Sequence, residues 1–431
     1  MAEFTAQVHQ NEHLPDGGTD VHAIVSMTCT GAGSVGLGGT GGIGGTGDAG
    51  EVIVVDTSGS MEQEGVRAAQ YAAAAALDQI VDGVYFAIVA GDHEARLCYP
   101  DGYHAAMVRM STQTRLEAKQ ALTRLYPDGG TAMGTWLIAA GQLFDSIPSL
   151  TKRHVILLTD GENQHETPQQ LDRAIEAVRG RFQCDCRGLG AAWQVGEVRR
   201  IAQALLGTVD LIRRWDDMPA EFAAMMRASM ARGLADATLR VWAPQGAQVM
   251  FVRQVAPTLE DLTARRREVN ALTGAYPTGS WADETRDYHV AVRLPAKSVG
   301  AEQLAARVQL VVDDQVMAQG LVKAKWSADD LLTARISPEV AHYTGQTELA
   351  TAIQQGLAAK ALGDDATATN KLGRAVQLAA QTGDEAATGR LARVVDIEDA
   401  ATGRVRLRRH VDRLDEMELD TASTKTVRVR K

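Results

Sequence analysis

Cysteine is scarce: Cys29, Cys98, Cys184 and Cys186 are the only four in 431 residues. That is too few for the disulfide lattice of a secreted scaffold, and a reduced, cytoplasmic protein is expected. No apolar run reaches the roughly 18 residues that a membrane-spanning helix needs. The opening Met1-Ala2-Glu3-Phe4 lacks a basic region leading into an apolar core, so no secretory leader is expected either. A surplus of positive charge is also missing. The formal net charge is −10, which argues against a general nucleic-acid binder. Aromatic residues make up only 5%, and alanine carries much of the apolar content, a balance that favours helices and shows no sign of bulk disorder. A chain this long usually exceeds one hydrophobic core, so two or three domains are expected.

Several catalytic signatures are absent as well. No HExxH pair occurs, Gly-x-Ser-x-Gly is missing, and no Cys or His pairs have zinc-site spacing. His93 and His165 read as surface or structural residues, and Trp193 and Trp215 as packing residues. Cys184-Asp185-Cys186 falls in a predicted strand, where alternate side chains share a face, so both thiols are expected in the core. The stretch 31–50 is about half glycine and reads as a flexible linker. It lacks the Gly-Lys-Ser/Thr ending of a phosphate-binding loop and precedes a strand instead of following one.

What is present is a change of rhythm along the chain. Residues 1–30 contain strand-like runs. From 51 to 232, short β-branched runs (Val52–Val55, Val84–Ala90, His154–Leu158, Phe182–Leu189, Thr208–Ile212) alternate with helical segments. This is the pattern of parallel strands with right-handed crossovers, an α/β fold with a doubly wound, mostly parallel sheet. Residues 233–326 alternate like half-buried antiparallel strands and read as a β-sandwich, to which residues 1–30 are assigned; one helix is expected near Leu259–Arg267. Residues 327–411 read as a helical segment and 412–431 as a disordered tail.

Three pieces of the α/β region carry chemistry. Asp56-Thr57-Ser58-Gly59-Ser60 follows the strand Val52–Val55, at the carboxyl end of which open α/β sheets bind ligands. Gly129-Gly130-Thr131 adds a hydroxyl on a glycine-rich loop. Thr159-Asp160-Gly161-Glu162 follows the strand His154–Leu158. Hydroxyl and carboxylate oxygens suit a hard cation such as Mg²⁺. In these motifs and their order the sequence resembles the von Willebrand factor A (VWA) family, over about Glu51–Arg232. The resemblance implies a Rossmann-like fold and a metal-ion-dependent adhesion site on Asp56, Ser58, Ser60, Thr131 and Asp160. It further implies magnesium, with manganese or calcium as alternatives, and a partner protein that supplies an Asp or Glu to the metal.

No nucleophile–base pair is visible, so recognition without turnover is expected. Two settings suit such a module. One is a bacterial signalling system with a Ser/Thr kinase, a phosphatase and an FHA-domain protein that reads a phosphorylated tail at Thr421, Thr424 or Thr426. The other is service as an accessory subunit of an AAA+ ATPase of the chelatase or cochaperone type.

Overall fold

The structure, a computed structural model, describes residues 2–33, 48–101 and 106–429. The chain opens with β1 (Glu3–Gln10), the short β2 (His13–Leu14) and β3 (Asp20–Thr30). The linker expected over 31–50 lies largely outside the described residues, and Asp48, Ala49 and Gly50 already belong to a strand. Strands and helices then alternate: β4 (Asp48–Asp56), α1 (Glu62–Leu77), β5 (Tyr85–Gly91), β6 (Ala95–Tyr99), β7 (Val108–Arg109), α2 (Thr112–Leu122), α3 (Met133–Asp145) and β8 (Leu150–Thr159). α4 (Pro168–Val178), β9 (Gln183–Leu189), α5 (Val195–Ala204), β10 (Val209–Ile212) and α6 (Met218–Met230) complete this series.

These elements form one unit, Ala32–Asp236 together with Gly279–Ala282. Its sheet runs β10-β9-β8-β4-β5-β6, with β7 also on β5. β4 pairs in parallel with both β5 and β8, whereas β6 and β7 are antiparallel to β5. Val52, Ile53, Val54 and Val55 are completely buried because both faces of the sheet are covered. On one face Ile53, Val55, Ile156 and Leu158 meet the alanine-lined side of α1 and the Phe222 and Met226 of α6. α3 packs on β4, β5 and β8 and against α4. Local signals start these helices. Thr167 and Gln170 form a reciprocal capping box, with Pro168 at the first helical position of α4.

Apolar strands of this sheet also carry charge. His154 Nδ1 lies 2.7 Å from Glu51 Oε2, and its Nε2 lies 2.9 Å from Asp185 Oδ2. Ser229 donates to Glu51 at 2.6 Å, Thr208 donates its N–H and hydroxyl to Asp185 at 2.7 and 2.8 Å, and Arg232 is 3.3 Å from Asp185. Burial alone would lower the His154 pKa, but the two flanking carboxylates hold it up, at about 9. Burial would raise Asp185, yet Arg232 and His154 keep it well below the usual carboxylate range. The expected burial of the Cys184 and Cys186 thiols is also seen, with their Sγ atoms 3.7 Å apart.

The second unit is discontinuous, Ala2–Gly31, Ala237–Thr278 and the chain from Asp283 on. Its later strands are β11 (Leu234–Trp242), β12 (Gln248–Ala256), β13 (Glu260–Asp261), β14 (Arg267–Asn270), β15 (Thr273–Trp281), β16 (Glu284–Arg293), β17 (Glu302–Val312) and β18 (Gln315–Trp326). One sheet has the order β1-β3-β16-β12-β13 and the other β14-β15-β11-β17-β18-β2. They approach closely at Gly320 of β18, where a Cβ would stand 2.7 Å from Val8 and 3.2 Å from Val25. The helix expected near Leu259–Arg267 is instead β13, a single 3₁₀ turn and β14. Asp261 explains the change: its carboxylate accepts the Thr263 N–H at 2.9 Å and closes a turn, while Leu262 is buried under β12.

Past β18 come α7 (Asp330–Thr333), α8 (Pro338–Ala361), α9 (Asp365–Thr382), α10 (Glu385–Val394), β19 (Val395–Asp399), β20 (Arg404–Leu407) and α11 (Arg413–Ala422). The expected C-terminal helical segment is present as α8, α9 and α10, and within 327–411 β19 and β20 add a hairpin whose turn is closed by Asp399 on Ala401 N and Thr402 Oγ1. One expectation is corrected here. The segment 412–431 is not a disordered tail over its described part. Asp412 caps α11 at Leu414 N (2.9 Å), and Leu419 and Thr421 are buried. Its acidic residues are paired: Asp415 and Glu418 with Arg393, and Glu416 with Lys360.

Beyond α11 the chain is strapped down. Leu259 N–H donates to Thr424 O at 2.8 Å, Thr426 N–H to Pro257 O at 3.2 Å, and Gln346 Nε2 to Val427 O at 3.0 Å. Arg428 makes a bidentate contact (3.0 and 2.9 Å) with Asp287, which is buried and also accepts from the Tyr343 hydroxyl. Arg428→Ala leaves that carboxylate buried without its arginine, an expected loss of about 2 kcal/mol, below the roughly 3–5 kcal/mol of a fully buried broken pair because Arg428 is half-exposed. Urea denaturation measures it. The double variant with Asp287→Asn should recover part of the loss, and an unchanged midpoint for Arg428→Ala would refute the expectation.

Candidate metal centre

In this sheet the direction of strand order reverses at β4, which has β5 on one side and β8 on the other. The carboxyl ends of β4 and β8 therefore border the crevice where open α/β sheets take ligands. Asp56 is the last residue of β4, and Asp160 directly follows β8.

Asp56 is completely buried. Its Oδ1 accepts the Ser58 N–H at 2.8 Å, which folds the loop back on itself, and its Oδ2 accepts the Thr159 hydroxyl at 2.7 Å. Ser58 Oγ and Ser60 Oγ are 2.9 Å apart, and the Ser60 hydroxyl donates to Asp160 Oδ1 at 2.7 Å. Thr131 is buried beside them. A Cβ built on Gly161 would stand 2.9 Å from Ser60 Oγ and 3.2 Å from Thr131 Oγ1, so a glycine is needed there for the two loops to close on the same space. The structure thus brings together all five residues singled out from the sequence.

Backbone bonds hold the loops. Thr57 N–H donates to Gly91 O (2.7 Å), Gly59 N–H to Gly129 O (3.0 Å), Asp128 N–H to Thr57 O (2.8 Å) and His165 N–H to Thr131 O (3.0 Å). Gly129 has φ +66°, and the imidazoles of His93 and His165 fill the space that side chains at Gly129 and Gly130 would need. The start of α3, just after Thr131, is tied down from the third loop: Met133 N–H donates to Asn163 Oδ1 at 2.9 Å and Gly134 N–H to Glu166 Oε1 at 2.7 Å.

The electrostatics are unusual for two adjacent acids. Burial raises the Asp56 pKa to about 6 against the lowering effect of the Ser58 hydrogen bonds, and burial likewise raises Asp160. Neither carboxylate makes an ion pair with a basic side chain among the described residues. Such a set, two carboxylates and three hydroxyls with no counter-charge, fits a hard divalent cation. It is sparse in charged ligands: among the described residues no group of three His, Cys, Asp or Glu side chains is placed to hold a metal.

Sequence reasoning overlooked Thr159, Asn163 and Glu166, which orient this site without belonging to the motif's ligand positions. Thr159 and Asn163 stood in view beside Asp160, but their partners are set by the fold. His93 and His165, read from the sequence as surface or structural residues, have their rings 6.3 Å apart at the glycine loop.

The comparisons agree with this architecture. Residues 52–211 match the model of the von Willebrand factor type A domain, and residues 377–423 that of the von Willebrand factor type A C-terminal domain. A von Willebrand factor type A protein from Catenulispora acidiphila is 45% identical, with 99% of this chain and 98% of that one covered and a TM-score of 0.92. The chain belongs to the von Willebrand factor type A family. The ArnB paralog VWA2 from Sulfolobus acidocaldarius, 14% identical with 98% of both chains covered and a TM-score of 0.57, shares the fold. A Synechocystis protein described as uncharacterized protein sll0103 is 26% identical over 219 residues, half of each chain. The chain thus spans about half the length of that curated relative. No helix among the described residues is long and apolar enough to cross a membrane.

Proposed function

We propose that this protein is a non-enzymatic recognition module whose VWA domain holds one divalent cation, magnesium in the cell, on Asp56, Ser58, Ser60, Thr131 and Asp160. An Asp or Glu of a partner protein completes the site. The observation that carries this reading is the pair of buried carboxylates, Asp56 and Asp160, linked through Ser60 and Ser58 and in no ion pair with a basic side chain among the described residues. Buried charge needs compensation, and an ion held mostly by neutral hydroxyls keeps enough positive charge to attract an anionic side chain. The role of the chain's own groups is to orient: Thr159 fixes one oxygen of Asp56, the Ser58 N–H fixes the other, and Gly161 keeps the space open. Among the described residues no histidine hydrogen-bonds Ser58 or Ser60, and this supports recognition over nucleophilic chemistry.

The test is capture of partners from the native host by the full-length protein in Mg²⁺ and in EDTA, with identification by mass spectrometry. Chelation, or Thr131→Ala, is expected to weaken the complex at least tenfold. Equal capture in EDTA would place the recognition surface elsewhere. A cytosolic setting with a kinase and an FHA-domain reader is part of this proposal only through Thr424 and Thr426, since the Thr421 hydroxyl is buried and bonded to Met417 O. Modification of those two requires release of the strap.

A further inference from the structure

Beside the metal loops, between α3 and α4, runs an open groove of about 650 Å³. It is continuous with the site. Ala132, which follows Thr131, lies in its wall, and so does His165, whose N–H is bonded to Thr131 O. α3 and α4 approach closely beneath it, where a Cβ on Gly134 would stand 3.0 Å from the Ala174 methyl, and Ala132 and Ala174 give this part an apolar surface. Ile138 and Ala139 of α3 extend this surface, both only partly buried. Glu166, the acid beside Gly134, has its Oε1 bonded by the Gly134 N–H and the Asn163 amide, which fixes where its charge sits in the lining. Glu94 and Arg173, of opposite sign, also line it, with Thr135, Gln142 and Gln170, and the imidazoles of His93 and His165 lie in the lining beside the glycine loop.

We propose that this groove receives a large apolar side chain, aromatic by preference, from the same partner segment whose carboxylate reaches the cation. The partner motif is then an acidic residue with a bulky apolar residue one or two positions away. The inference rests on the metal-site reading given above. A single carboxylate contact distinguishes poorly among the many acidic segments a cell presents, and a buried anchor close by supplies both affinity and selection. Aromatic side chains provide the most contact area for the least ordering cost, and they stack on imidazole rings. A second cavity of about 270 Å³ reaches Thr57 on the other flank and offers less room for a large side chain than the α3–α4 groove.

The probe is a display library of seven-residue peptides with a fixed central Glu and all other positions varied, selected on the full-length protein in Mg²⁺. The expected result is enrichment of Phe, Tyr, Trp or Leu within two positions of the Glu. A selected peptide should lose affinity at least tenfold when that residue is changed to Ala, and at least tenfold on Ala139→Trp, which fills the groove. Thr135→Trp, at an exposed position of the same wall, takes its place if the first variant does not fold. Peptides that need both Mg²⁺ and the Glu but show no apolar preference, or bind the filled groove equally well, would overturn the groove assignment and leave the metal reading standing. A selection that yields no metal- and Glu-dependent peptide would overturn both.

Discussion

His154→Ala is expected to be the most damaging single substitution in the α/β unit, with a loss of about 3–5 kcal/mol. Among the described residues, His154 alone bonds to both Glu51 and Asp185 in this buried cluster. Its removal strands Glu51 with Ser229 alone among the partners described, while Asp185 keeps Arg232 and Thr208. A buried carboxylate without a cation costs far more than the pair contributes, so Glu51 dominates the loss. The same cluster sets a pH dependence. In the folded protein His154 holds its proton up to about 9, against an unfolded value near 6.5. Its contribution to stability is therefore complete below about pH 6.5 and disappears as the pH rises through 9. Urea midpoints measured from pH 6 to pH 10 should fall over that window in the wild type. A His154→Gln variant should be less stable at pH 6 and show a flatter profile. Parallel profiles for the two proteins would remove the imidazole from the account.

Asp56→Asn should have the largest effect on ligand binding: magnesium affinity falls by a hundredfold or more while the fold persists. The amide keeps an acceptor for the Ser58 N–H and sits on the end of a strand with its own fully buried neighbours, so nothing in the packing of β4 depends on the charge. Without metal, the wild type has two close buried acids that pair with no basic side chain among the described residues, and removal of one charge should leave the metal-free melting temperature unchanged or higher. With metal, the wild type gains about 2.7 kcal/mol at a hundred times its dissociation constant, and the variant should gain nothing. Calorimetric titration and thermal melts with and without Mg²⁺ measure both effects. A variant that binds magnesium normally would remove Asp56 from the site, and one that cannot fold would make the site structural.

The legible parts of this fold were those with local causes. Val52–Val55 and His154–Leu158 read as strands because burial on both faces selects unbroken runs of branched residues. α1, α2 and α4–α6 have a helical period or a cap in their own sequence. α3 carries a weaker local signal: Met133, Trp136, Leu137, Ala140, Leu143 and Phe144 are all buried, so it has little polar face to mark a period, and Gly134 and Gly141 resemble breaks. The site's five oxygen-bearing residues were visible because each ends a strand or sits in a glycine loop. Their orienting partners were not, since Thr159 meets Asp56 only across neighbouring strands. Likewise the acids of α11 resembled a solvated run because the arginine that neutralises Asp415 and Glu418 lies on α10, outside any local window.

The pairing of β3 with β16 sets an order of events during synthesis. Asp20 stands opposite Arg293, and Cys29 opposite Glu284. While the chain is being made, β3 has only β1 to pair with until more than 250 further residues have emerged. The whole of Ala32–Asp236 is translated in that interval, at roughly 5–20 residues per second, and its sheet needs no strand from either flank. The metal-binding unit is therefore able to reach its native sheet while the sandwich is still a lone hairpin with an open edge. For tens of seconds, that hairpin is the part of the nascent chain most exposed to wrong partners.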